Sequence, residues 1–397
     1  MPKTPPLTKF VDPLPTPPTA IADPSVHPGA DYHEITMRQG SWRFHRDLGP
    51  STVWGYWAAH PQDPGKAIGM GHLGPTISVN KDHPTVVKYR NDLPTTHLFP
   101  FVIDGIRNGN PQLTPVPPPP YKPHLPPLEC ERVERRTPAR RIHGAAVRRH
   151  APAFVRPGRN PIGTDVTLTN YNAPVHFPGG NGPEIPEIMR FKVTGPPSGG
   201  RDKTTPPEEL RLPAVATVRP EPHTRRREWV LYQHKLFRTM TFNAVPFMEP
   251  SEDFIKAGST EIWEYVNPHH DAHPLHVHLV DFQVLNRRVI DAAGYREQYE
   301  KWIDGGRKAE DRPVLANYLT GPPISPDPDE ADSNKDTVKS YPETVTRIII
   351  REFTPPTDTI ASIPGSGTEF PAQYVHHCHV LDHEDDDLMR PWTIVRD

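Results

Sequence analysis

Proline limits what this chain can become more than any other residue does, because it fills 55 of the 397 positions. It has no backbone N–H to donate, and its ring clashes with a preceding helical turn, so helix interiors and central strands exclude it. Long helices are therefore not expected. Between the prolines lie short runs rich in β-branched and aromatic residues: YHEITM, TISVN, TVVKYRN, VTLTNY, MRFKV, REWVLY, EIWEYVN, HVHLVDFQVL, TRIIIREF and PWTIV. Such side chains suit a pleated, half-buried surface. The series predicts an all-β protein made of sandwiches or barrels.

Other bulk properties narrow the function. A formal net charge of −3 gives no general attraction for nucleic acid or an anionic membrane, and neither is expected as a partner. No run approaches the roughly 20 apolar residues that cross a bilayer, and MPKTPPLTKFVDPLPTPP lacks the apolar core of a secretion signal. A soluble protein without a cleaved leader is the expectation. Two cysteines, Cys130 and Cys378, cannot build a disulfide framework, and Cys378, set between histidines, suits a thiolate metal ligand.

The pattern changes along the chain. Residues 1–30 form a Pro-rich arm, extended or draped over a neighbouring surface and carrying no chemistry. Residues 31–110 begin an ordinary β domain. From Pro111 to Asn160 neither a period of 2 nor one of 3.6 is present, so no secondary structure is assigned there. The arginines of that stretch read as a solvated charge run rather than a nucleic-acid arm. Its Arg, Pro, Ala, Gly and His are also what GC-rich coding DNA yields out of frame, which suggests a frameshifted or deletion-scarred segment. Residues 161–200 hold two strands, too few for a closed sandwich, and read as the remnant of a middle domain. Residues 201–397 hold regular strand signals and the chemistry.

That chemistry lies in two motifs, His273-Pro-Leu-His276-Val-His278 and His377-Cys378-His379-Val-Leu-Asp-His383. On a strand, His276 and His278 point together, as do His377 and His379, whereas Cys378 points the other way. This alternation allows two metal clusters on opposite faces of one strand. Thiolate with imidazole selects copper, zinc or iron, and a trigonal His2Cys set with a weak axial position is the blue-copper arrangement. His273, Cys378 and His383 supply that set. Zinc is the rival ion, but a structural zinc site has no use for histidine pairs flanking the thiolate.

HPLHVHLVDFQVLNRR and HHCHVLDHEDDDLMRPW resemble the third cupredoxin domain of multicopper oxidases, in the branch of bacterial spore-coat laccases and bilirubin oxidases. LTKFVDPLPTPP, HEITMRQGSWRFHRDLGPSTVWGY, GPTISV and NDLPTTH resemble the front of the same branch. The resemblance implies Greek-key cupredoxin sandwiches, the C-terminal one complete and the N-terminal one incomplete. It implies copper as cofactor, a phenol, aromatic amine, bilirubin or metal ion as small-molecule reductant, and dioxygen as acceptor. By position, His273, Cys378 and His383 are the implied type 1 ligands and His276 the type 2 ligand. His278, His377 and His379 are implied type 3 ligands. Glu384 matches an acid that assists proton delivery near the dioxygen site; a solvated acid in the run Glu384 to Asp387 is the other reading. Leu388, ten residues after the cysteine, occupies the axial position, with Met389 beside it. The location implied is cytoplasmic or spore coat. Two features depart from the family. The H-x-H pairs of its first domain are absent, since no H-x-H precedes His276, and the later half of domain one and most of domain two are skipped. An inactive or purely electron-transferring homologue is therefore the alternative to an oxidase.

Overall fold

In the computed structural model, which describes residues 5–80, 83–95, 101–107, 110–115, 161–169, 187–195, 209, 214–233, 240–355, 369–380, 383–384 and 387–396, most of the β-rich runs form strands. The chain divides into two units. In the first, β1 (Asp31–Trp42), β2 (Ser51–Ala59), β3 (Ala67–Ile68) and β4 (Thr85–Asp92) form one sheet in the order β3-β2-β1-β4. Strand β1 runs antiparallel to β2 and parallel to β4. A small cluster of Ala20, Ile35 and Ala58 packs with Ile68, Ile77 and Val87.

TISVN departs from expectation: Thr76 forms only an isolated bridge to Thr19, and no strand continues from it. Its backbone is taken up by the arm, Thr76 N donating to Pro18 O and Ala20 N to Thr76 O, each at 2.8 Å. The Pro-rich arm is thus pinned within its own unit. Arg46 strengthens this by donating from Nε to Asp12 at 3.0 Å.

Two ribbons follow, β5 (Phe101–Arg107) with β6 (Asn110–Pro115) and β7 (Asp165–Thr169) with β8 (Glu187–Lys192). Strand β6 carries ordered backbone past Pro111, where sequence periodicity stops, because a two-stranded ribbon leaves outward N–H positions that proline does not disturb. The remainder of the irregular segment, residues 116–160, lies outside the described residues.

The second unit is a sandwich. Its strands are β9 (Arg225–Gln233), β10 (Met240–Phe242), β11 (Phe254–Lys256), β12 (Glu261–Asn267), β13 (His273–Val277), β14 (Phe282–Ile290), β15 (Leu319–Ile324), β16 (Thr337–Ser340), β17 (Thr344–Ile350), β18 (Ala372–Cys378) and β19 (Met389–Val395). One sheet has the order β10-β9-β12-β17-β14-β15 and the other β11-β19-β18-β13-β16. Parallel neighbours β9–β12 and β11–β19 arise because the chain crosses between sheets, as a cupredoxin-like Greek-key sandwich requires. Trp229, Trp263, Tyr265, Phe282, Ile348, Leu275, Cys378 and Trp392 fill the space between the sheets.

Strand β12 is buried at every position, so its sequence EIWEYVN does not show the alternation of a strand with one wet face. Its outer face is covered by helix α1 (Ala292–Asp304), whose Tyr295 and Tyr299 pack with Val230, Val266, Ile290 and Val345. Long helices are not expected, and this one runs 13 residues. It forms in a proline-free stretch, Asp291 caps its N-terminus by accepting from Gly294 N at 3.0 Å, and Lys301 pairs with Glu297 one turn earlier.

A buried ion pair ties β9 to β12. Arg227 donates to both Glu261 carboxylate oxygens, at 2.6 and 3.2 Å, and to Asp253 at 3.2 Å, while Trp263 Nε1 donates to Glu261 at 3.1 Å. Glu261→Ala leaves this guanidinium buried without its main partner, at an expected cost of about 3–5 kcal/mol. Urea unfolding followed by tryptophan fluorescence measures it; a loss under about 1 kcal/mol would show that the pair matters little to the sandwich.

Candidate metal centre

Strands β13 and β18 are antiparallel neighbours, with Leu275 opposite Cys378, His276 opposite His377 and Val277 opposite His376. Because side chains alternate, one face of the pair carries His273, Leu275, Val277, His376 and Cys378 and the other carries His276 and His377. The first face belongs to the sandwich interior, where His273, Leu275, His376 and Cys378 are all fully buried. His383 returns to that face through the tight loop after β18, its N–H donating to Val380 O at 3.0 Å and its carbonyl accepting from Leu388 N at 2.8 Å.

His273 Nδ1 lies 3.6 Å and His383 Nδ1 3.8 Å from Cys378 Sγ, and the two nitrogens are 3.2 Å apart. Metal bonds of about 2.0 Å to imidazole and 2.3 Å to thiolate, at angles between tetrahedral and trigonal, set N–N separations of about 3.3–3.6 Å and N–S separations of about 3.6–3.8 Å. The triangle therefore fits one thiophilic ion. Burial drives the His273 pKa down to about 3, so its lone pair is free. Burial likewise pushes the Cys378 thiol up to about 12, and a bound metal must displace its proton. Leu388 is buried beside the loop, its carbonyl accepting from Cys378 N at 2.9 Å. Met389 stands opposite His377 in the β18–β19 register, hence on the face away from Cys378.

The second face holds the other histidines. His276, His278 and His377 each offer a ligand atom, all within 4.8 Å of one another. His278 Nε2 and His377 Nε2 are 3.1 Å apart. His276 Nδ1 donates to Asp336 O at 2.8 Å and lies 3.1 Å from Thr337 Oγ1, and His377 Nδ1 donates to Cys378 O at 3.0 Å. These bonds leave Nε2 of each ring unprotonated, and that of His377 faces His278 Nε2. Burial lowers the pKa of His276 and of His278, which keeps the lone pairs free. His379 is exposed, its ring centroid 5.4 Å from that of His377 and 5.8 Å from that of His276. Glu384 Oε2 is 3.4 Å from His377 Nδ1.

One histidine was not singled out by sequence. His376 lies on the Cys378 face, Tyr265 Oη 3.2 Å from its Nδ1 and the Trp229 and Phe242 rings 4.2 and 4.4 Å from its own. Period-2 alternation places it there, but nothing in the sequence reveals the aromatic box from distant strands.

Residues 230–397 match the family model described as multicopper oxidase. The chain is 34% identical over 210 residues to a laccase of Bacillus stratosphericus, covering 53% of this chain and 35% of the laccase. It is 33% identical over 208 residues to the laccase of Bacillus subtilis (strain 168), covering 52% and 34%. Multicopper oxidase LPR1 of Arabidopsis thaliana is 31% identical over 234 residues, covering 58% and 39%. Among solved structures, the McoA multicopper oxidase of Aquifex aeolicus aligns with 59% of this chain and 41% of its own, at 20% identity and a TM-score of 0.36. The chain spans about a third of the length of the Bacillus laccases it matches. Residues 230–397 therefore resemble one domain of the multicopper oxidases.

Metal-free protein should weaken in acid. His273 and His269, the latter lowered to about 4 by burial, stay neutral in the fold but protonate near 6.5 when unfolded. Their contribution is whole above pH 6.5 and is lost as pH falls toward 4 for His269 and 3 for His273. Each costs up to about 1.4 kcal/mol per pH unit in that window. Urea midpoints between pH 7 and 4 measure the slope, and His273→Gln should flatten it; an unchanged slope would show that His273 is not held neutral.

Proposed function

We propose that this chain is a copper-dependent oxidoreductase of the laccase type, taking electrons one at a time from a small reductant at a type 1 site of His273, Cys378 and His383. The observation that carries this reading is the triangle of two imidazole nitrogens and one cysteine sulfur on the inner side of β13 and β18. Copper held there would accept an electron from the donor and pass it on. The remaining work is done by the chain. His273, sealed in the core, offers a lone pair without a proton to compete. His383, only half-buried, is the ligand nearest to solvent and the entry point for electrons. Val380 N donates to Cys378 Sγ at 3.4 Å, stabilising the thiolate. Leu388 supplies no axial donor and walls off that side, which favours the reduced ion and a high potential.

Donors of phenolic, aromatic-amine, bilirubin or metal-ion type suit an outer-sphere site of this kind, with dioxygen as the acceptor used across the family. Cys378 and His377 are consecutive, so the two histidine faces are joined by a few covalent bonds. Glu384, with Oε2 3.4 Å from His377 Nδ1, is the acid this reading assigns to proton delivery. The spore-coat branch and a cytoplasmic or spore-coat location are part of the same reading; among the described residues no helix is long and apolar enough to cross a membrane. A second reading, an electron-transfer protein that does not reduce dioxygen, is favoured by the lack of any H-x-H pair before His276.

Copper(II) added to the folded chain should give an intense thiolate-to-copper absorption band, and Cys378→Ser should abolish it. Leu388→Met should lower the potential of that site by adding a thioether. A colourless copper complex, or a band that survives the serine substitution, sinks the assignment. Oxygen uptake with a phenolic donor separates the oxidase from the electron carrier.

A further inference from the structure

We propose that His276, His278 and His377 form a mononuclear site for one divalent transition-metal ion, copper(II) by preference, with an open coordination position, in place of a three-copper cluster. It rests on the reading above only in assigning Cys378, His273 and His383 to a different ion. The residues of this chain do not fit the larger cluster: it needs four further imidazoles in H-x-H pairs, and no such pair precedes His276. They do fit a single ion. Three nitrogen donors lie within 4.8 Å of one another. The 3.1 Å between His278 Nε2 and His377 Nε2 is close to the roughly 3.3 Å that two imidazoles on one tetrahedral ion would show.

The donors are also pre-set without metal. Backbone carbonyls of Asp336 and Cys378 hold the Nδ1–H tautomers of His276 and His377, the outer hydrogen bonds that orient metal-bound histidines. Asp336 Oδ1 accepts from Thr337 Oγ1 at 3.1 Å, which directs that hydroxyl's lone pair at His276 Nδ1–H. In the metal-free chain His278 Nε2–H donates to His377 Nε2 at 3.1 Å, and an ion bound there would take the place of that shared proton and engage all three donors together. His278 is exposed, so the remaining coordination position faces water, the open arrangement of three histidines plus solvent. Uncharged nitrogen donors rank divalent ions in the order that puts copper(II) above zinc and nickel. The proposed site leaves out His379, which lies outside the group of converging donor atoms.

The test is copper loading of the full chain, with metal analysis and electron paramagnetic resonance. Two coppers per chain are expected, giving a thiolate-bound signal and an ordinary nitrogen-bound signal of equal intensity. The double substitution His276→Ala, His278→Ala should remove one copper of the two and the nitrogen-bound signal while the visible band persists; His379→Ala should keep both. On the wild-type chain a mild chelator should strip the open site first, halving the copper and sparing the visible band, a readout independent of how the variants fold. One copper per chain with the thiolate signal alone, four coppers with a spin-silent pair, or a nitrogen-bound signal that survives the double substitution would each overturn the proposal. A missing visible band with the nitrogen-bound signal intact would instead remove the type 1 assignment and uphold this one.

Discussion

The in-register pairing of β13 with β18 is the constraint on which the chemistry depends. Moving one strand by a single residue would exchange the faces, sending Cys378's partner Leu275 toward solvent and His276 into the core. The register is held because Leu275, Val277 and Cys378 belong to the same apolar interior as Trp263 and Trp392, so a slip would expose core and bury imidazoles without partners. Packing energy thereby fixes the position of the metal ligands.

The inner face gains selectivity from its dryness. His273 and Cys378 are fully buried, and burial is the main cause that keeps the imidazole neutral and the thiol protonated. Such a site discriminates against protons on nitrogen but must lose one from sulfur, so a soft ion that bonds thiolate strongly is favoured. The outer face works differently. Its nitrogens are aligned by carbonyls and a hydroxyl rather than sealed in, and His278 stays wet. Two donor sets of unlike chemistry are separated by the backbone of one strand.

The sandwich that supports them relies on elements remote from the metal motifs. Helix α1 covers the outer side of the six-stranded sheet, allowing β12 to be buried on both faces and to place Trp263 and Tyr265 against the Cys378 strand. Tyr265 in turn meets His376, so the residue two before the cysteine is held by a strand more than a hundred positions away.

The sequence alone determined the all-β class, the ligand motifs and their division between two faces, since proline content and period-2 alternation are local properties that a strand must obey. It also indicated that Leu388 rather than a thioether follows the cysteine at the axial spacing. It did not indicate helix α1, because a 13-residue amphipathic stretch is decided by the sheet face available to receive it. Nor did it show TISVN pairing with the arm instead of extending a strand. The convergence of His276, His278 and His377, with His379 outside the group, is visible only in the tertiary structure. Alternation says which way a side chain points, whereas distances between donor atoms depend on how β13, β18 and the carbonyls of Asp336 and Cys378 pack together.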